Sequence, residues 1–180
     1  EERFAETEYV IQSLTEKGLK GHRVPEDILY EGSGETMIWN QQILVGYGKR
    51  SNANIVEYLH QIYQVPVVGL ELVDARFYHL DTALFPITSE LIAVYLPAFS
   101  EESQAKIKDL GAEIIELSEQ DAFEFALNSI AIDKNIIVHS AAQNFQKTLR
   151  DRGFNVHSLD ISEFIKFGGG IKCLTMQHVL

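Results

Sequence analysis

Cysteine and long apolar runs are both scarce in this sequence, and each scarcity excludes a class of protein. Cys173 is the only cysteine among 180 residues, so no disulfide can form within the chain. Such sparse cysteine usage suits a reducing compartment, and we expect a cytoplasmic protein. No apolar run approaches the roughly 18 residues that a membrane span needs, so we expect no membrane partner.

Basic residues are scarce as well. Lysine and arginine together number 15, against 26 aspartates and glutamates, and the formal net charge is −11. An acidic protein repels the phosphates of nucleic acids and of anionic lipids, which argues against both as partners. A cationic small molecule is compatible with this charge.

Motifs for metal and phosphate binding are missing too. The histidines and Cys173 are not spaced as zinc ligands. The turns GSGET and GYGKRS contain glycine but do not complete the spacing of a phosphate-binding loop. We therefore expect neither a metal nor a cofactor.

What the chain does contain is an internal repeat of strand, strand, helix and strand. The repeat is one of pattern rather than identity, and it recurs about every 45 to 50 residues. Gly111 and Gly153 follow two of the predicted helices, where glycine commonly ends a helix. The three complete units cover residues 28–72, 76–118 and 123–160.

Partial units flank the three complete ones. The first 25 or so residues predict the helix and last strand of an earlier unit, and residues 171–179 predict the first strand of a later one. A linear array would need polar ends, whereas a closed ring accounts for both fragments. We predict one domain over residues 1–180, an α/β-propeller of ββαβ units whose ring is incomplete in this chain.

Four polar residues fall at matching places in successive units. Glu31, His79, Asn128 and Cys173 are 48, 49 and 45 residues apart. If each lies on the first strand of its unit, the four side chains converge at the centre of the ring. Asp81 follows His79 by two residues, so on a strand it faces the same side.

Each of these residues also has an ordinary structural explanation when it is taken by itself. A carboxylate is common in a turn, a histidine can be a satisfied core residue, and an amide can bridge backbone groups. A lone cysteine is more often a small buried apolar residue than a nucleophile. The shared register favours function, because independent core residues have no reason to recur at one place.

The segments YEGSGETMIW, ILVGYGKRSN, HLDT, FALNSIAI and GGGIKCLTM together resemble those of a known superfamily. They are similar to the guanidino-group-modifying enzymes, the amidinotransferases and dimethylargininases, which have a five-bladed α/β-propeller (pentein) fold. The resemblance implies that Cys173 attacks a guanidinium carbon, that His79 shuttles protons and that Glu31 assists.

The resemblance also implies a substrate-binding set. Asp81 would hold the guanidinium, and Arg50, after the G-x-G strand, would bind the substrate carboxylate. Glu35 stands where the family has aspartate, one methylene shorter, so its hydrogen bonding is expected to differ. Asn128 joins this set because it shares the register of the other residues.

The family carries a further guanidinium-binding aspartate in N-terminal blades, and this sequence starts after them. We expect that the chain is a fragment, or that an N-terminal chain or a second copy completes the ring. The resemblance implies hydrolysis of arginine or an N-methylated arginine to citrulline through a cysteine thiouronium. The alternatives are transfer of the amidino group to an amine, or an incomplete or non-catalytic pentein that only binds a partner.

Overall fold

The computed structural model of the protein describes residues 4–175. It begins with helix α1 (Phe4–Thr15), which is followed by a long irregular segment up to residue 31. No helix among the described residues is both long enough and apolar enough to cross a membrane.

Each of the three predicted repeats forms its own three-stranded sheet. The first unit comprises β1 (Thr36–Trp39), β2 (Gln42–Tyr47), α2 (Asn54–Tyr63) and β3 (Val67–Glu71). The second comprises α3 (Leu80–Ala83), β4 (Leu84–Pro86), β5 (Leu91–Val94), α4 (Glu101–Lys108) and β6 (Glu113–Glu116). The third comprises α5 (Glu119–Phe123), β7 (Ile130–Ile132), β8 (Asn135–His139), α6 (Gln143–Asp151) and β9 (Asn155–Leu159), after which α7 (Ser162–Ile165) follows.

All three sheets have the same topology, which confirms the predicted ββαβ order. The first strand pairs antiparallel with the second, and the second pairs parallel with the third. A short turn suffices for the antiparallel connection, whereas the parallel pair requires a crossover, which the helix supplies. The helices α4 and α6 are followed by Gly111 and Gly153, whose φ angles of 77° and 85° favour glycine.

The middle strand of each sheet lies in the protein interior. Leu44 of β2, Ile92 of β5 and Ile136 of β8 are fully buried, and all three belong to one continuous apolar cluster. A second contact ties the first two units together, since the Trp39 indole N–H donates to the Thr88 carbonyl at 2.8 Å. This shared core fixes the sheets relative to one another, and with them the loops that precede each first strand.

The predictions for the two ends of the chain are only partly confirmed. The predicted N-terminal helix is present as α1, but the strand predicted after it is not, because none of the three sheets pairs with that segment. Residues Lys172–Leu174 form a 3₁₀ turn rather than the predicted strand. Two hydrogen bonds from this turn to Asn128 use the backbone amides that a strand would need. Residues 176–179 of that prediction lie outside the described part of the chain.

Candidate active site

The candidate residues lie just before the first strands, not on them as the sequence predicted. Glu31 precedes the 3₁₀ turn Gly32–Gly34 that leads into β1, and His79 precedes the short helix α3. Asn128 lies in the turn before β7. The shared register still brings these side chains together, because the same approach to the first strand is repeated in each unit.

Asp81 is therefore not placed by the alternation of a strand. His79 has extended backbone angles (φ −132°, ψ 155°), and the chain then turns into α3, which contains Asp81. The Thr82 hydroxyl donates to the His79 carbonyl at 2.7 Å and the Thr82 amide donates to the same oxygen at 3.2 Å, which stabilises this turn. The prediction of a shared strand face was wrong, but Asp81 still enters the site and is almost fully buried.

His79 and Glu31 are directly hydrogen-bonded to each other. Their Nε2 and Oε2 atoms are 2.7 Å apart. Gly34 makes room for the imidazole, because a Cβ at this position would lie 2.5 Å from His79 Nδ1. Partial burial raises the pKa of Glu31, but hydrogen bonds from His79 and Arg50 outweigh burial and hold that pKa below its usual value. Glu31 is thus a carboxylate that orients the imidazole.

Arg50 reaches the same carboxylate from the turn after β2. Its Nη1 atom lies 3.2 Å and 3.3 Å from the two carboxylate oxygens of Glu31. Its guanidinium carbon lies 5.5 Å from the centre of the Tyr78 ring. The Tyr78 hydroxyl donates to the Gly168 carbonyl, which ties the triple-glycine segment to this side of the site.

Cys173 lies beside a buried carboxylate. Its Sγ atom is 4.0 Å from Asp81 Oδ2, and the Lys172 ammonium is 3.0 Å from the same oxygen. Burial raises the pKa of Asp81, and the charge of Lys172 only partly offsets this effect. Cys173 is exposed, whereas the neighbouring Asp81 carboxyl is buried beneath it.

Asn128 holds the cysteine in place through both ends of its side-chain amide. Nδ2 donates to Cys173 Sγ at 3.2 Å, while Oδ1 accepts from the Cys173 amide at 3.2 Å. Nδ2 also lies 3.3 Å from the Asp81 carbonyl. Gly170 makes this approach possible, because a Cβ there would lie 2.5 Å from Asn128 Oδ1. Asn128 is fully buried and so positions the thiol rather than offering itself to a solvent-side ligand.

Glu35 lies behind the site rather than in it. It is fully buried, and its Oε2 atom accepts the Leu80 amide at 3.1 Å, directly after His79. Oε1 has no hydrogen-bond partner among the described residues. Burial raises the pKa of Glu35 to about 7, despite the Leu80 amide, and the nearby charges of Asp81 and Glu31 add to the rise. The Glu35 carboxyl thus binds the backbone of α3 at its first residue.

Sequence reasoning missed Lys172, although the residue is adjacent to Cys173. Its ammonium binds Asp81 Oδ2 and also donates to the Ser33 carbonyl at 2.7 Å. These partners lie 91 and 139 residues away, so only the fold reveals them. Within residues 4–175, no cluster of three or more histidine, cysteine or acidic side chains is arranged to hold a metal ion.

A comparison with known families identifies the chain. The sequence profile of the family described as N,N dimethylarginine dimethylhydrolase, eukaryotic, matches residues 1–180. The chain belongs to this family. The resemblance found in the motifs around Glu31, His79 and Cys173 is thereby confirmed at the level of the family.

Two curated relatives of this dimethylarginine dimethylhydrolase family member have named activities. The N(G),N(G)-dimethylarginine dimethylaminohydrolase of Mycobacterium tuberculosis is 40% identical over 147 residues, which cover 82% of this chain and 49% of the relative. The bifunctional arginine dihydrolase/ornithine cyclodeaminase ArgZ of Synechocystis is 32% identical over 180 residues, covering 98% of this chain and 26% of the relative. The chain thus spans about half the length of one relative and about a quarter of the other.

Solved structures show the same fold. The N-terminal domain of ArgZ, a cyanobacterial arginine dihydrolase bound to its product, superposes with a TM-score of 0.91 at 32% identity. The superposition covers 96% of this chain and 64% of that domain. The enzyme DDAH from Pseudomonas aeruginosa, in complex with citrulline, superposes with a TM-score of 0.78 at 23% identity, over 94% of this chain and 64% of that one. The α/β arrangement of the dimethylarginine dimethylhydrolase family member is therefore that of these enzymes.

Proposed function

We propose that this protein hydrolyses the guanidino group of arginine or of an N-methylated arginine. The products would be citrulline and ammonia or a methylamine. The observation that carries the proposal is that the segment His79–Asp81 contacts two distant residues: His79 pairs with Glu31 at 2.7 Å, and Asp81 Oδ2 lies 4.0 Å from the Cys173 thiol. The names of the two relatives, a dimethylaminohydrolase and an arginine dihydrolase, agree with it.

The first step is attack by sulfur on the guanidinium carbon. This carbon is a weak electrophile because the positive charge is delocalised, so the nucleophile has to be a thiolate. Asp81 Oδ2, 4.0 Å from Cys173 Sγ, is close enough to accept guanidinium N–H groups while the carbon lies over the sulfur. Attack forms the S–C bond and a tetrahedral adduct.

The second step breaks the bond between carbon and the leaving nitrogen. His79 donates a proton to that nitrogen, which departs as ammonia or a methylamine and leaves a thiouronium on Cys173. The imidazole then takes a proton from water, whose oxygen attacks the same carbon. Collapse of this second adduct breaks the S–C bond and releases citrulline. The hydroxyl proton is lost to solvent, and the thiolate and the protonated imidazole are restored. Glu31, 2.7 Å from His79, stabilises the protonated imidazole in both steps.

Three further residues have supporting roles in this proposal. Asn128 orients Cys173 and so acts on the substrate only through the thiol. Arg50 is the cation that would receive the carboxylate of an amino-acid substrate, in exchange for part of its contact with Glu31. Glu35 anchors the backbone amide of Leu80 and thereby the position of the neighbouring His79 and Asp81.

We also propose that the three ββαβ units are part of an α/β-propeller, with the chain forming one domain over residues 1–180 of a cytoplasmic enzyme. The relatives are longer than this chain, and the remaining blades would come from further polypeptide, an N-terminal chain or a second copy. Size-exclusion chromatography with light scattering on the natural full-length protein distinguishes a monomer from a homo-oligomer.

Measurement of citrulline formation tests the proposed reaction. The natural full-length protein is incubated with arginine, monomethylarginine or dimethylarginine, with Cys173→Ser as the matched control. We expect citrulline from at least one substrate with the natural protein and none with the variant. Citrulline at equal rates from both proteins would contradict the role of Cys173. Ornithine formed only when an amine acceptor is added would indicate amidino transfer instead.

A further inference from the structure

Lys172 lies where a cationic substrate group would be expected. Its ammonium is 3.0 Å from Asp81 Oδ2, the same oxygen that lies 4.0 Å from Cys173 Sγ. The lysine and the thiol therefore both lie beside the same carboxylate oxygen. Asp81 Oδ1 has no hydrogen-bond partner among the described residues.

The charge of the buried carboxylate explains why a cation is held there. Asp81 is only 1% exposed, and an ionised carboxylate at that depth is costly unless a cation lies beside it. Lys172 supplies this cation, and its side chain is 20% exposed. A substrate guanidinium would supply the same positive charge at the same oxygen.

One carboxylate cannot neutralise both cations equally well. A planar guanidinium binds a carboxylate best through two parallel hydrogen bonds, which require both oxygens. Oδ1 is buried, whereas Oδ2 is the oxygen beside the Cys173 thiol, and Lys172 already donates to Oδ2. A guanidinium at Oδ2 would lie beside the Lys172 ammonium, and the repulsion between the two cations favours departure of the ammonium.

The fold gives the ammonium a place to remain. Lys172 also donates to the Ser33 carbonyl at 2.7 Å, and Ser33 is exposed to solvent. The lysine can keep this contact, and gain water, while it gives up the carboxylate.

We propose that Lys172 is a resident counter-ion of the substrate subsite, displaced from Asp81 by the cationic guanidino group. This inference rests on the proposed function, because it assigns Asp81 to the guanidinium. Lys172 then weakens the binding of every substrate by the strength of its own ion pair, and it favours ligands that carry the positive charge needed to replace it. A neutral ureido group cannot make this exchange.

Ligand binding to inactive protein tests the proposal without interference from turnover. All variants are made in the natural full-length protein with Cys173→Ser, and isothermal titration calorimetry at mildly alkaline pH measures arginine and citrulline. Lys172→Met removes the charge and keeps the side-chain length, while Lys172→Arg keeps the charge. Lys166→Met is the matched control, because Lys166 is an exposed lysine near the end of α7 that pairs with Glu163.

We expect Lys172→Met to bind arginine at least about tenfold more tightly, the change that follows from one hydrogen bond to a charged group. Citrulline affinity should change much less, Lys172→Arg should not gain arginine affinity, and Lys166→Met should match the parent. Weaker arginine binding in Lys172→Met, or an equal change for both ligands, would overturn the counter-ion role while leaving the proposed reaction intact. Absence of arginine binding in every variant, including the parent, would instead overturn the proposed function and this inference together.

Discussion

Replacing the buried carboxyl of Glu35 by an amide should change how the stability of the protein depends on pH. Burial raises the pKa of Glu35 from 4.5 to about 7, so the folded protein binds this proton more tightly than the unfolded chain does. When folding raises the pKa of an acid, the protonated acid contributes its full stability at pH values below the pKa of the unfolded chain. This stability is lost as the pH rises towards and through the pKa of the folded protein. The free energy of unfolding of the natural protein should therefore fall between about pH 4.5 and about pH 7.

The size of the effect follows from the shift. One pKa unit corresponds to about 1.4 kcal/mol, so ionised Glu35 destabilises the fold by on the order of 3 kcal/mol above pH 7. The amide of Glu35→Gln resembles the protonated acid: its oxygen can still accept the Leu80 amide, and it cannot ionise. The variant should match the natural protein near about pH 4 and exceed its stability by about 3 kcal/mol near about pH 8.

Urea denaturation followed by circular dichroism, repeated across this pH range, measures the difference. Glu57→Gln is the control, since Glu57 is an exposed carboxylate on α2 that pairs with Gln61. Its curve should stay parallel to that of the natural protein, within about 0.5 kcal/mol. If Glu35→Gln gave a curve parallel to the natural one, or lost stability at the higher pH, the buried carboxyl would not be the cause and the reasoning would be wrong.

Two further substitutions test the contacts that hold the site. Gly170→Ala would put a Cβ 2.5 Å from Asn128 Oδ1, so citrulline formation should fall at least about tenfold. Gly169→Ala is the control, because its Cβ would meet no described atom closer than 3.8 Å and citrulline formation should be retained. Equal rates in the two variants would refute the claim that Gly170 makes room for Asn128. Arg50→Lys removes the contact with both carboxylate oxygens of Glu31, and it also removes the planar guanidinium that would bind the substrate carboxylate. The KM for arginine should therefore rise about tenfold more than the KM for a guanidine that has no carboxylate. An equal rise for both compounds would show that Arg50 acts only through Glu31.

Much of the architecture could be predicted because its causes are local in the sequence. β5 is apolar throughout, and Gly111 and Gly153 mark the turns after α4 and α6. The order of strand, strand, helix and strand then favours one topology. The short connection makes the first two strands antiparallel, and the helix allows the third strand to pair in parallel with the second. The spacing of the candidate residues was informative for the same reason: repeated units place equivalent segments at equivalent positions.

What could not be predicted depends on contacts between distant segments. His79 looked like a strand residue because aromatic and apolar neighbours surround it, but Thr82 hydrogen bonds to its carbonyl and turns the chain into α3. The segment around Cys173 likewise resembled a strand, and it forms a turn because Asn128 takes its amides. Lys172 was missed because its two partners are far away in the sequence.

The central claim is that Cys173 becomes covalently bonded to the guanidino carbon during turnover. Mass spectrometry of protein that has been acid-quenched during reaction with arginine tests this claim most directly, with Cys173→Ser treated in the same way. The account predicts an added mass equal to that of the thiouronium on the peptide that carries Cys173, absent from the variant and lost when the substrate is exhausted. ArgZ serves as the positive control, because a variant of its N-terminal domain has been solved covalently bound to a reaction intermediate. Steady citrulline formation with no adduct on the Cys173 peptide, under conditions that trap the adduct in ArgZ, would contradict the account.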